Sequence, residues 1–145
     1  MSALEQVKRD WKWSADGSKD RWTLPPLSGP FTGDCEEFAL AVLLREKGSE
    51  DAMWDALESG EARILHVTSE RGNGHAVLWF YGRGYVDSIH QSWRSDVLFS
   101  HNFDYSPSQI RRKLAGKTVR GTANKKMLVL AAILAAAAVF VAFGM

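Results

Sequence analysis

The chain contains one cysteine, Cys35, and it stands second in the stretch "DCEEFALAVLLREKG", ahead of the apolar run and not inside it. Asp34 is a good helix N-cap, and Glu37 three residues later completes an Asp-x-x-Glu capping box. Cys35 is then the first helical residue, at the positive end of the helix dipole and beside backbone donors that the helix leaves unpaired. Such a position predicts a lowered thiol pKa and a reactive thiolate. The N–H of Cys35 could also hold an oxyanion once the sulfur attacks a carbonyl. A nucleophilic cysteine needs a base, and the base needs an orienting acceptor. His75 begins a strand directly after an Asn-Gly turn, and Asp87 lies twelve residues on, across the Gly82–Gly84 hairpin. Pairing the two strands about that hairpin sets His75 nearly opposite Asp87. Cys35, His75 and Asp87 therefore form a coherent nucleophile, base and orienter.

The elements that must position them can be read from the periodicity. "DCEEFALAVLLREKG" predicts a helix with Phe38, Leu40, Ala41, Leu43 and Leu44 inward, closed by Gly48. Ser49 opens a second helix that ends at Gly60. The period then changes to two: residues 62–69 and 75–82 read as strands, and "YVDSIH" (85–90) as a third across a tight hairpin. The fold class is α+β, a catalytic helix packed on a small antiparallel sheet. Upstream, residues 1–33 read as irregular, with a possible short helix through Leu4 and Val7 and three tryptophans, Trp11, Trp13 and Trp22. These could line a substrate groove or pin the N-terminal segment to the core.

The blocks "GDCEEFALAVLLREKG" and "GHAVLWFYGRGYVDSI", and more weakly "DRWTLPPLSGPFTGDC", resemble the bacterial transglutaminase-like cysteine peptidases of the transglutaminase/papain-like superfamily. The resemblance spans about Asp20 to Ile89. It implies a papain/transglutaminase-like core, with Cys35 as nucleophile, His75 as general base and acid, and Asp87 as its orienter. Trp22 matches a tryptophan upstream of the family's cysteine and becomes the candidate for an oxyanion or substrate contact. The family includes peptidases, amidases and acyltransferases as well as members without activity. Compact versions among bacteriophage proteins point to a phage or virion setting. No cofactor or metal is expected: His66, His90 and His101 have no metal-ligand spacing with one another or with Cys35. They read as surface or core histidines, with His90 facing away from the triad. Glu36 and Glu37 read as helix-start carboxylates. Trp54, Trp79, Phe80 and Trp93 read as packing residues.

The 145 residues suit one domain, and a single cysteine excludes an internal disulfide. The N-terminus has no apolar run of the secretory type. Net charge is +1, but residues 1–110 carry −6 and residues 111–126 carry +7. That basic run precedes "MLVLAAILAAAAVFVAFGM" (Met127–Met145), nineteen residues without a charge. At about 1.5 Å per residue, such a helix approaches the roughly 30 Å of a bilayer core. The sequence thus predicts a domain over 1–104, a short helix and basic juxtamembrane linker over 105–126, and a transmembrane tail anchor over 127–145. The positive-inside rule places the domain on the cytoplasmic side, and lipid head groups explain the basic run more simply than nucleic acid does. Small residues at Ala131, Ala135 and Ala138 would allow homo-oligomers of the helix. Two functions of different class follow. One is a membrane-anchored thiol hydrolase or acyltransferase acting on a protein or peptide amide. The other is a non-enzymatic phage virion, ejection or membrane-assembly protein on the same fold.

Overall fold

The computed structural model describes residues 1–15 and 21–118. Its elements run α1 (Ala3–Asp10), β1 (Trp11–Trp13), β2 (Phe31–Gly33), α2 (Cys35–Lys47), α3 (Glu50–Ser59), β3 (Ala62–Thr68), β4 (Gly74–Phe80), β5 (Gly84–Val86), β6 (Ser100–Tyr105) and α4 (Pro107–Thr118). The architecture is α+β. Four strands form one antiparallel sheet in the order β5-β4-β3-β6, while β1 and β2 pair in parallel as a separate ribbon. The segment 127–145, read above as a transmembrane anchor, and the basic residues beyond 118 lie outside the described residues. Among the described residues no helix is long and apolar enough to cross a membrane.

Side chains alternate across a strand, so the sheet has two faces. Ala62, Ile64, Ala76, Leu78, Phe80 and Val86 join the core built around α2, whereas Leu65, Val67 and Val77 form a second cluster with Phe99 and Trp79. Every residue of α2 from Glu37 to Arg45 is buried, so this helix is covered on all sides and not on one apolar face alone. Its second cover comes from the N-terminal segment. The Arg45 guanidinium bonds Asp10 Oδ2 at 2.6 Å and the carbonyls of Gly29 and Pro26 at 2.8 and 3.3 Å, tying α1 and the 24–31 loop to α2. A buried charge held by several hydrogen bonds avoids the desolvation cost of an unpaired one.

The folded unit continues past residue 104, where the sequence reading ended it. β6 runs to Tyr105, Ile110 of α4 is fully buried in the α2 core, and Leu114 packs beside it. The short helix expected within 105–126 is α4, which takes in the first residues of the basic run. Arg111 there bonds Glu58 Oε2 at 3.1 Å and lies over the Trp54 ring.

Candidate active site

The start of α2 is built as its sequence dictates. Asp34 caps it, accepting from the Glu36 N–H, and Glu37 Oε1 accepts from the Asp34 N–H at 2.9 Å to close the box. Glu37 Oε2 also takes the Thr23 N–H at 2.9 Å, which draws the upstream loop onto the helix terminus. β2 delivers the chain to this point at close range. A Cβ on Gly33 would stand 2.5 Å from Glu37 Cβ, so only glycine lets the strand pass over the first helical turn.

His75 and Asp87 form the second half of the site. His75 Nε2 lies 3.1 Å from Asp87 Oδ1, and both side chains are buried. The same Oδ1 accepts the backbone N–H groups of Ile89 and His90 at 2.8 and 2.9 Å. Burial opposes the ionised form of Asp87, but the hydrogen bonds from His75, His90 and Ile89 outweigh it and hold the carboxyl below its ordinary value. An ionised Asp87 is acceptor-only, so Nε2 of His75 carries the proton and Nδ1 is left as the basic nitrogen. The Phe99 ring packs against the imidazole, with centroids 5.1 Å apart.

No described hydrogen bond joins Cys35 to this pair; its link to β4 is by way of the Ala76 backbone. The backbone bonds Ser69 N–H to Asn73 O and Tyr81 N–H to Glu61 O continue the β3–β4 register, in which odd-numbered residues form the hydrogen-bonded pairs. Even-numbered residues of β4 therefore direct their N–H groups towards β5. β5 stops at Val86, opposite Leu78, so Ala76 has no strand partner on that side. Its N–H acts on the Cys35 thiol in favour of the thiolate, against the larger effects of burial and Glu36. The thiol thus lies beside the residue that follows His75, in the gap that opens where Asp87 leaves the sheet.

The resting thiol differs from the sequence expectation. Sγ donates to Glu36 Oε2 at 3.2 Å, and its pKa is raised, not lowered. Burial is the largest cause, followed by the negative charge of Glu36. The dipole at a helix start supplies roughly 0.3–1 kcal/mol, whereas desolvation can move a buried group by about 3–5 pKa units. Burial wins. Glu36 itself is pushed up to about 8 by burial and by its hydrogen-bonded neighbour Asp34. Asp34, Cys35 and Glu36 also bring three potential ligand atoms within 4.8 Å of one another. All three come from one helix start, where Asp34 is the N-cap and the Cys35 thiol donates to Glu36.

Other expectations change as well. Trp22 is 2% exposed, with its ring 4.9 Å from that of Tyr105 and its backbone N–H on Lys113 O, so the indole is a core side chain. No described hydrogen bond takes it to Sγ. Trp11 pins the N-terminal segment through Nε1–H to Gly33 O at 3.0 Å and an edge contact with Phe38, while Trp13 remains exposed. His90, expected to face away, has Nδ1 3.5 Å from Asp87 Oδ2. It makes no hydrogen bond there, and Nδ1 is buried without a hydrogen-bond partner. The turn signal was present in "DSIH": an aspartate that caps the N–H groups two and three residues ahead brings the third residue's ring back onto itself. His66 belongs to a separate polar group with Asn102, and His101 pairs with Asp104.

None of the family models, curated proteins or solved structures compared with this chain matches it.

Proposed function

We propose that the protein is a thiol hydrolase or acyltransferase of the transglutaminase-like cysteine peptidase type, acting on a protein or peptide amide. The observation that carries this reading is the buried His75–Asp87 hydrogen bond, with Cys35 at the capped start of α2. In the reaction, Sγ attacks the amide carbon while its proton passes to His75 Nδ1. His75 returns that proton to the nitrogen as the C–N bond breaks, leaving a thioester on Cys35. Water then gives an acid, or an amine gives a new amide. Because the resting sulfur is a thiol, proton transfer to His75 accompanies attack and does not precede it. The N–H groups of Cys35 and Ala76 are the donors available to the oxyanion.

The apolar stretch 127–145 and the basic residues before it favour a membrane-anchored protein with this domain on the cytoplasmic side. A phage virion component delivered to the host envelope fits the same features. A second reading, a non-enzymatic membrane-assembly protein on this fold, draws on one observation: the raised thiol pKa is opposite to what a pre-ionised nucleophile requires. Alkylation of Cys35 by iodoacetamide against pH separates the two, using the full chain in mild detergent. An enzyme loses at least about tenfold in rate at neutral pH when His75 becomes alanine. A rate indifferent to His75 leaves the assembly reading.

A further inference from the structure

The two carboxylate oxygens of Asp87 are served unequally. Oδ1 meets Nε2 of His75 and accepts the N–H groups of Ile89 and His90, whereas no described hydrogen bond ends on Oδ2. Oδ2 faces the His90 ring instead, 3.5 Å from Nδ1, and that nitrogen is buried without a hydrogen-bond partner. The His90 backbone is pinned to the same residue from both directions. Its N–H donates to Asp87 Oδ1 at 2.9 Å, and its carbonyl accepts the Asp87 N–H at 3.3 Å. The Phe99 ring packs against both imidazoles, with centroids 5.4 Å from His90 and 5.1 Å from His75. A carboxylate oxygen only accepts, so Oδ2 and Nδ1 complement each other only when Nδ1 carries a hydrogen. In the other neutral tautomer two lone pairs would confront each other, and the buried nitrogen would stay unsatisfied.

We propose that His90 is a second positioning residue of the site: its Nδ1–H donates to Asp87 Oδ2, and one carboxylate is clamped between two imidazoles. This rests on the catalytic reading of His75 and Asp87. The pinned backbone leaves only the His90 side-chain torsions to adjust, and a shift of a few tenths of an ångström closes the bond. The clamp fixes the rotation of the carboxylate, and with it the direction in which Oδ1 meets His75. His90 therefore acts on the thiol only through His75.

The test uses the full chain, labelled with nitrogen-15, in mild detergent. Long-range proton–nitrogen NMR reads the tautomer of each neutral imidazole. The expected result is a hydrogen on Nδ1 of His90 and on Nε2 of His75, with His90 losing that preference in Asp87→Ala. A His90 hydrogen on Nε2 overturns the clamp, and this readout needs no His90 variant to fold. Iodoacetamide labelling of Cys35, in which Sγ joins the methylene carbon and expels iodide, tests the consequence. His90→Phe keeps a ring beside Phe99 without a donor, and the rate should fall about three- to tenfold, the scale of one hydrogen bond. His90→Asn offers an amide N–H near the place of Nδ1 and should return the rate to within about twofold of native. In a His75→Ala background His90→Phe should change nothing further. A native rate in His90→Phe, no rescue by Asn, or an equal loss without His75 overturns the positioning role. A thiol indifferent to His75 removes the catalytic reading, whereas a His75-dependent thiol indifferent to His90 removes the positioning role alone.

Discussion

His75 presents Nε2 to Oδ1 of Asp87 at 3.1 Å across the hairpin that joins β4 to β5, and the carboxylate is held in place by two further N–H groups. Three donors on one oxygen keep Asp87 ionised and fix which nitrogen of His75 bears the proton. Asp87→Asn retains the shape but can turn an NH₂ towards Nε2, which selects the wrong tautomer. The expected outcome is a fall of roughly 10²-fold or more in amide turnover. Histidine-resolved NMR should show the imidazole proton moved from Nε2.

Glu36 sits on the other side of the sulfur and restrains it. Its charge and its hydrogen bond both raise the thiol pKa. Glu36→Gln removes a charge that develops as pH rises through about 8, so the Cys35 alkylation profile should shift to lower pH, with the gain in rate largest above that value. No change in the alkylation profile would mean that Glu36 does not govern the thiol.

Glu36 and Glu37 at the helix start make stability fall as pH rises. Burial and the neighbouring Asp34 push Glu37 up to about 7 from an ordinary 4.5, and Glu36 to about 8. For a carboxyl whose folded value is raised, the associated stability is complete below the unfolded value and is lost as pH climbs through the folded one. Asp87, with a lowered value, contributes in the opposite sense, and that part is lost only as pH falls below its ordinary 3.8. The melting temperature should therefore peak near pH 4–5 and decline steadily to pH 8, as scanning calorimetry across buffers can check.

Gly33→Ala should be costly although the residue is only half-buried. The added Cβ meets Glu37 Cβ at 2.5 Å, and both atoms belong to segments fixed by the capping bonds. A loss of about 1–3 kcal/mol in urea unfolding is expected. Cys35 alkylation should change with it, because relief requires moving the helix start.

Ile110→Ala tests whether α4 belongs to the domain. A fully buried isoleucine replaced by alanine costs about 2–5 kcal/mol. An effect within about 0.5 kcal/mol, the range of surface changes, would make α4 an appendage.

Much of the candidate site was legible because it is local. The Asp34 and Glu37 cap acts over three residues, Gly48 and Gly60 end helices where they stand, and His75 and Asp87 meet across a hairpin of neighbouring strands. Contacts of short sequence separation follow from residue type and spacing alone. β6 left no such trace: five of the six residues in "SHNFDY" are exposed, so no alternation of apolar and polar positions marks the strand, and a register shift at His66–Val67 breaks its pairing with β3.

The sequence by itself determined the residue that begins α2, the order of the central strands and the pairing of His75 with Asp87. Tertiary structure alone decided the protonation of Cys35, the burial of Trp22, the return of His90 to Asp87 and the docking of α4 through Ile110. The physical reason is that capping and hairpin bonds are made within a few residues or one turn. Desolvation depends on everything that closes over a group, and at Cys35 it reverses what the helix start alone would give.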